Sequence, residues 1–269
     1  MTRDRAFAGS IPTIYEKYLV PLIFEPYAED MARRLALRSP GSVLEIAAGT
    51  GVVTRRLAAD LPESVRIVAT DLNPPMLAEA AAIGTVRPVE WRQADALQLP
   101  FPAASFDAVV CQFGCMFFPD KARSVAEARR VLRPGGVLIF SAWDRLEGNE
   151  FADIVTTSVA GLFADDPPRF LARTPYAYND RATIERDVLS GGAPRPPLIQ
   201  TVTARSRAGS HRDPAIGFVQ GTPLRNEVEA RDASRLGEAT DVAAEAIARR
   251  FGQGAVDGKI QALVVTVES

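Results

Sequence analysis

The 269-residue chain has only two cysteines and one histidine. Cys111 and Cys115 are too few for a disulfide scaffold, and with His211 alone they form no recognisable zinc-ligand pattern. The C-x3-C pair reads as two buried thiols in a reducing compartment. Positive charge is not in excess either: the formal net charge is −2 and the isoelectric point about 5.7. This argues against a nucleic-acid partner, which usually requires a basic domain. No stretch reaches the roughly 20 apolar residues of a membrane span. The first 18 residues carry charges and no continuous apolar core, so no secretory leader is expected. These absences lead us to expect a cytoplasmic protein without a membrane span. What is present is ordinary globular composition, 47% hydrophobic and 24% charged, in a length suited to one large α/β domain or a domain with an insertion.

The first half alternates two periodicities. Ser42–Ala48, Val65–Asp71, Val89–Asp95, Ser105–Phe113 and Val137–Trp143 are short, apolar or β-branched runs that read as strands. Between them, Gly51–Leu61 places Val53, Leu57 and Leu61 four apart, as on one helix face. Pro75–Gly84 opens with proline and closes with glycine. Asp120–Gly136 begins with a capping aspartate and is expected to stop at Pro134-Gly135-Gly136. Such alternation predicts a parallel sheet covered by helices on both faces. Beyond Trp143 the pattern loosens. Helices are expected from near Asn149 to Phe163, over Arg181–Gly192 and over Asp232–Gly252, with strands over Leu198–Ala208 and Lys259–Ser269. Ile11–Leu37 reads as a helix ahead of the first strand, placed to lie over the sheet edge.

Open α/β sheets bind ligands beyond the carboxyl ends of their strands. The first strand ends in EIAAGTG, where Ala47, Gly49 and Gly51 let a ligand approach the backbone. The second ends at Asp71, placed to accept hydrogen bonds from both hydroxyls of a ribose. The third is followed by QADALQLPF, with Asp95 in the matching place, and the fourth ends in the apolar CQFGCMFF. A nicotinamide-binding fold also uses a glycine turn and an acid after the second strand. Its third glycine is missing here, where Thr54 stands. Glu45 also weighs against it, since a carboxylate repels a pyrophosphate but suits an ammonium or sulfonium group.

Taken in order, these motifs over Val43–Trp143 resemble the class I S-adenosylmethionine-dependent methyltransferases, with Ala47 in place of the first glycine of their first motif. FDAVVCQFGCMFF and EARRVLRPGGVLIFSAW are similar to the fourth and fifth strand motifs of that family, and the former is closest to the ubiquinone- and menaquinone-biosynthesis-type C-methyltransferases. The resemblance implies S-adenosylmethionine as cofactor and no metal. It also implies a Rossmann-like, doubly wound α/β fold: a mostly parallel seven-stranded sheet with an antiparallel last strand, an N-terminal helix and an α-helical lid. The implied division is a helical cap over 1–40, the cofactor-binding core over 41–145, a lid and substrate insertion over 146–230, and a C-terminal helix and strand over 231–269. The implied cofactor residues are Glu45, Ala47, Gly49, Thr50, Gly51, Asp71, Leu72, Met76, Asp95, Ala96 and Gln112. Asp71 would take the ribose, while Asp95 and the Ala96 amide would face the adenine. Glu45 would hold the charged methionine end or order the loop.

Each assignment has a structural competitor. Asp71 can cap the helix after it, Asp95 can form a turn, and Glu45 can cap backbone amides. The Asn73–Met76 stretch, NPPM, is a helix start; it lacks the aromatic residue and the fourth-strand position of the amino-methylating DNA enzymes' motif. Tyr15, Tyr18, Phe113, Met116 and Phe117 are candidate substrate contacts or simple packing residues. His211 is the one candidate base, set against a solvated surface histidine. The acceptor is expected to be a small apolar or aromatic molecule, selected by the N-terminal helix and by Asp144–Ala230, with Phe170, Tyr176, Tyr178, Phe218 and Arg225. A nicotinamide-dependent oxidoreductase and a non-catalytic S-adenosylmethionine-binding protein are the alternatives. The long helix near the C-terminus suggests a homodimer.

Overall fold

The computed structural model describes residues 7–269; the first six residues of the expected 1–40 cap lie outside the described residues. The strands are β1 (Ser42–Ile46), β2 (Arg66–Asp71), β3 (Glu90–Gln93), β4 (Phe106–Gln112), β5 (Leu132–Trp143), β6 (Leu198–Ala208) and β7 (Val256–Glu268). They form one seven-stranded sheet in the order β3-β2-β1-β4-β5-β7-β6. Pairings from β3 through β5 are parallel, and β7 runs antiparallel to both β5 and β6. This is the expected fold class. The strand order reverses at β1, where β2 lies on one side and β4 on the other. In a doubly wound sheet that is where a ligand crevice opens.

The helices are α1 (Ile11–Ile14), α2 (Glu25–Ala36), α3 (Val52–Asp60), α4 (Pro74–Ile83), α5 (Lys121–Val131), α6 (Glu150–Leu162), α7 (Phe170–Arg173), α8 (Arg181–Ser190), α9 (Arg212–Gln220), α10 (Leu224–Asp232) and α11 (Leu236–Phe251). A π-helical run, Tyr15–Phe24, joins α1 to α2 into one arm. Pro21 lies inside this run and has no N–H to give an α-helical ladder; the wider turn surrounds it. Two apolar clusters sandwich the sheet. One holds Val43, Ala108, Val110 and Ile139 against Val53 and Leu57 of α3 and against Ala28, Met31, Ala32 and Leu35 of α2. The other holds Leu44, Ile46, Val109, Leu138 and Phe140 against α5, α6 and α8. Residues adjacent in a strand divide between the clusters, as the pleat requires.

Four sequence expectations change. The arm lies across the face of the central strands rather than over the edge, because the 28-31-32-35 stripe of α2 needs apolar cover. Helix α5 stops at Val131 rather than at the glycine pair, since Arg133 precedes a proline and is disfavoured in helical conformation. Leu132 already pairs with Phe106 in the sheet. Helices α9 and α10 occupy a region where sequence periodicity showed no elements. Finally, the apolar face of α11 is consumed within the chain: Ala239, Ala243, Ala244 and Ile247 are buried in the same cluster as Ala215, Phe218 and Val219 of α9. That face is therefore not available for the homodimer it suggested. No helix among the described residues is long and apolar enough to cross a membrane.

The segment after β5 is pinned by one buried side chain. Asn149 accepts a hydrogen bond from the Gln261 amide at 3.0 Å and donates to the carbonyls of Arg145 at 3.0 Å and Gln261 at 3.2 Å. It thereby ties the start of α6 to β7. Asn149→Ala leaves these buried groups unpaired and is expected to destabilise the fold by about 2–3 kcal/mol, read as a lowered midpoint in urea denaturation at unchanged slope.

Candidate functional site

The turn after β1 is built from unusual backbone. Ala47, Gly49 and Gly51 all have positive φ, at +56°, +59° and +86°. That region suits glycine and strains alanine. The departure from a glycine at 47 has a local counterpart at Gly114, where an added Cβ would lie 2.4 Å from that of Ala47 and 2.9 Å from the Cys111 sulfur. The methyl group of Ala47 fits because position 114 has none. The turn is closed by the Gly51 amide donating to Ala48 O at 2.9 Å and fastened to β2 by the Ala48 amide donating to Thr70 O at 2.9 Å.

Asp71 ends β2 beside this turn. Its Oδ2 accepts from the Gly49 amide at 2.8 Å, and its Oδ1 from the Asn73 amide at 2.8 Å and from Asn73 Nδ2 at 3.3 Å. Burial pushes its carboxyl above the ordinary carboxylate range, against the pull of these hydrogen bonds. A cavity opens beyond the carboxyl ends of the central strands. Ala47, Gly49, Asp71, Leu72, Met76, Asp95, Ala96 and Gln112 of the expected cofactor set line it. Asp95 is exposed, and its Oδ1 accepts from the Leu97 amide at 2.9 Å, so it forms a turn as well as facing the cavity.

Three members of that set stand behind the wall. Gly51 abuts Trp91 of β3, whose ring an added Cβ would approach to 2.7 Å. Thr50 is buried, and its carbonyl accepts from Arg55 at 2.6 Å. Glu45, only 1% exposed, shares a sheet face with Val43 and takes a 2.5 Å hydrogen bond from the Thr54 hydroxyl in the first turn of α3. It thus orders the loop from beneath rather than reaching the cavity. Burial foremost, and then the nearby charge of Asp71, push its carboxyl up to about 8, although Thr54 and Arg55 hold it down. Arg55 also bonds Glu16 at 2.6 Å, clamping the arm to the glycine turn.

On the other side the wall is aromatic. Phe113 follows β4 with φ +53°, a conformation that is costly for a bulky residue. Its amide is held by the Ser141 hydroxyl at 3.2 Å and the Ser141 carbonyl at 3.2 Å. Its ring stacks on Trp143, with centroids 3.8 Å apart and planes within 4°. Tyr176 stacks on the Trp143 ring at 5.7 Å, and Tyr15 stacks on Phe24 at 4.9 Å. Tyr15, Phe113 and Phe117 of the expected substrate set line the cavity, as do Phe170, Tyr176 and Phe218.

Tyr18 and Met116 do not line it: Tyr18 packs beside Gly217 of α9, and Met116 is buried in the core. Tyr178 borders a separate small cavity with Cys111, Cys115 and Lys121. Arg225 pairs with Glu229 and the Ser10 hydroxyl at the surface. His211 precedes α9, and its Nδ1 lies 2.7 Å from the Gln253 carbonyl, away from the cavity. Sequence reasoning missed Trp143 although it ends β5, where the strand-end rule applied to β1 through β4 would have found it. Phe24 and Leu19 carried no such signal, because the π-helical register that turns them inward breaks the 3.6-residue period.

Comparison with known proteins gives matches over the same part of the chain. Residues 44–140 match the family described as methyltransferase domain. The demethylmenaquinone methyltransferase of Deinococcus radiodurans is 44% identical over 103 residues, 38% of this chain and 42% of that protein. The ubiquinone/menaquinone biosynthesis C-methyltransferase of Hahella chejuensis is 34% identical over 162 residues, 55% of this chain and 65% of that protein. The chain thus spans about half the length of the curated relatives it matches. Among solved structures, a SAM-dependent methyltransferase of Thermotoga maritima aligns with TM-score 0.54 at 18% identity, over 94% of each chain. A phosphoethanolamine N-methyltransferase of Haemonchus contortus aligns with TM-score 0.61 at 16% identity, over 98% of this chain and 59% of that one. These structures share the fold.

The raised carboxyl of Glu45 has a consequence for stability. A group that holds its proton more tightly when folded stabilises the fold fully below its unfolded value. That contribution is lost as pH rises toward the folded value, here from about 4.5 to about 8. Glu45→Gln, which cannot ionise, is expected to gain on the wild type across this window, by on the order of a few kcal/mol at pH 8.5 relative to pH 4.5. Urea denaturation of both proteins at the two pH values checks it; a difference that does not move with pH would place the carboxyl back in the ordinary range.

Proposed function

We propose that this chain, whose residues 44–140 match the methyltransferase-domain family, transfers a methyl group from S-adenosylmethionine to a small apolar or aromatic acceptor. The observation that carries the reading is the buried Asp71 carboxylate at the tip of β2, bonded to the Gly49 amide and facing a cavity. Small residues at 47 and 49 leave the backbone there open to close approach. These residues suit an adenosyl group: Asp71 takes the ribose hydroxyls, Asp95 and the Ala96 amide take the adenine edge, and Leu72 and Met76 cover its faces. Behind the wall, Glu45 and Thr54 hold the turn in shape. S-adenosylmethionine, when bound, supplies a methyl group on a sulfonium that is already activated for displacement.

The protein's own task is then alignment and exclusion of water, which together can supply several kcal/mol of barrier reduction. The aromatic wall of Phe113, Trp143 and Tyr176 gives a flat acceptor two or more faces to stack against. The same rings favour a neighbouring cationic donor. The relatives are named for demethylmenaquinone and for ubiquinone and menaquinone biosynthesis, and a ring of that kind fits this wall. We take 7–40 to be a cap, 146–230 to be the substrate segment and 231–269 to complete the core. The two free, buried thiols fit a reducing compartment such as the cytoplasm.

Calorimetric titration tests the reading. Wild type is expected to bind S-adenosylmethionine and S-adenosylhomocysteine but not NADH. Asp71→Ala is expected to weaken both adenosyl ligands by at least about tenfold, the loss of one charge-assisted hydrogen-bond pair. Binding of NADH alone, or of none of the three, overturns the reading in favour of an oxidoreductase or a degenerate site.

A further inference from the structure

Two neighbouring positions at the carboxyl edge of the sheet each carry the residue that the other's backbone suits. Ala47 has φ +56°, a conformation that glycine adopts freely and alanine does not. Gly114, after β4, has φ −99° and ψ −34°, ordinary right-handed backbone open to any residue. Conformation therefore gives no reason for glycine at 114. The reason is space: a Cβ there would lie 2.4 Å from the Ala47 Cβ and 2.9 Å from the Cys111 sulfur. Carbon atoms in good contact stand about 3.5–4.0 Å apart. The missing side chain leaves a notch, and the Ala47 methyl sits in it.

The notch is firmly held. Gly114 follows Phe113, whose amide is fixed to β5 by the Ser141 hydroxyl and the Ser141 carbonyl, each at 3.2 Å. The Gly114 carbonyl accepts from the Phe117 amide at 3.0 Å. The turn after β1 is tied on its opposite side, to β2, by the Ala48 amide on Thr70 O at 2.9 Å and the Gly49 amide on Asp71 at 2.8 Å. Toward β4 the ladder of β1 stops at Glu45 opposite Val110. Beyond that point the methyl in its notch seats the turn against β4. A methyl group at 114 would have to push Ala47 away by about 1 Å to reach ordinary contact. Gly49 lies two residues along, and a 2.8 Å hydrogen bond stretched by about 1 Å is no longer one.

We propose that Gly114 is a positioning residue for the cofactor turn: its notch seats the Ala47 methyl and thereby sets where the Gly49 amide and Asp71 meet an adenosyl ligand. The inference rests on the methyltransferase reading and deepens it. It assigns to the cofactor side a residue that stands on the strand of the aromatic wall, directly after Phe113. The pair works by size. Alanine at 47 requires glycine at 114, and glycine at 47 releases that requirement.

The test titrates S-adenosylhomocysteine into the full chain by calorimetry, with urea denaturation of each variant alongside. Gly114→Ala is expected to weaken S-adenosylhomocysteine at least about tenfold. Ala47→Gly in the Gly114→Ala background removes the opposing methyl and is expected to restore affinity to within about threefold of wild type. Cys111→Ala in the same background relieves only the sulfur contact and is expected to restore nothing. A merely structural role would lower the urea midpoint of Gly114→Ala and leave the affinity of the folded protein unchanged, which overturns the inference. So do an Ala47→Gly/Gly114→Ala protein that stays weak and a rescue by Cys111→Ala equal to that by Ala47→Gly. If Gly114→Ala does not fold, the Ala47→Gly/Gly114→Ala protein decides: near wild-type affinity upholds the inference, and failure to fold or to bind overturns it. A wild type that binds no S-adenosylhomocysteine removes the methyltransferase reading itself, and this inference with it, whereas a wild type that binds no better than Gly114→Ala removes this inference alone.

Discussion

The hydrogen bond from the Gly49 amide to Asp71 joins two strand ends that the chain reaches 22 residues apart. Every other part of the site depends on that join. The turn after β1 that it fastens has Ala47, Gly49 and Gly51 at positive φ. The bond leaves the Asp71 carboxylate buried beside the cavity, with its charge stabilised only by amides. The same carboxylate raises the proton affinity of Glu45 across the turn. Two buried acids close together cannot both ionise cheaply. The fold resolves the conflict by giving one of them hydrogen bonds from backbone amides and the other a single hydroxyl from Thr54. The result is that burial raises both carboxyls, Asp71 against several amide hydrogen bonds and Glu45 against one hydroxyl.

The aromatic side rests on a different balance. Phe113 accepts an unfavourable backbone conformation, and the cost is offset by its stacking on Trp143 and by the amide bonds to Ser141. Tyr27 of α2 meets both rings edge-on at 5.2 and 5.4 Å. The arm is therefore part of the wall's support as well as its cover. Its hold on the glycine turn through Glu16 and Arg55 couples the two halves of the cavity mechanically.

The sheet, its order of helices and most of the strand-end residues were legible from residue pattern, because parallel strands buried on both faces read as apolar runs and their ends carry the small and acidic residues. Asp71, Gly49 and Gln112 were found that way, and their positions on the cavity follow from being strand ends. Glu45 was read as holding the ligand's charged end or ordering the loop; its place beside Val43 on the sheet face and its bond from Thr54 give the second. Tyr18 on the N-terminal helix and Met116 after the fourth strand were candidate substrate contacts or packing residues, and the side-chain direction of their elements makes them packing residues. The arm was the least legible element. Its amphipathic stripe is visible in α2, but the π-helical run breaks the period on which a helix face is read.

The sheet order places β7, the last strand in the chain, between β5 and β6. Until β7 forms, β6 has no neighbour through which to join the sheet. Asn149 likewise finds its partners on Gln261 of β7. Trp143 pairs with Ala262 of that final strand, whereas the glycine turn, Asp71 and the end of β4 lie within the first 112 residues. Pairings of such long sequence separation form slowly. Of the sheet's pairings, those of β7 with β5 span the longest stretch of chain, and β7 also carries β6.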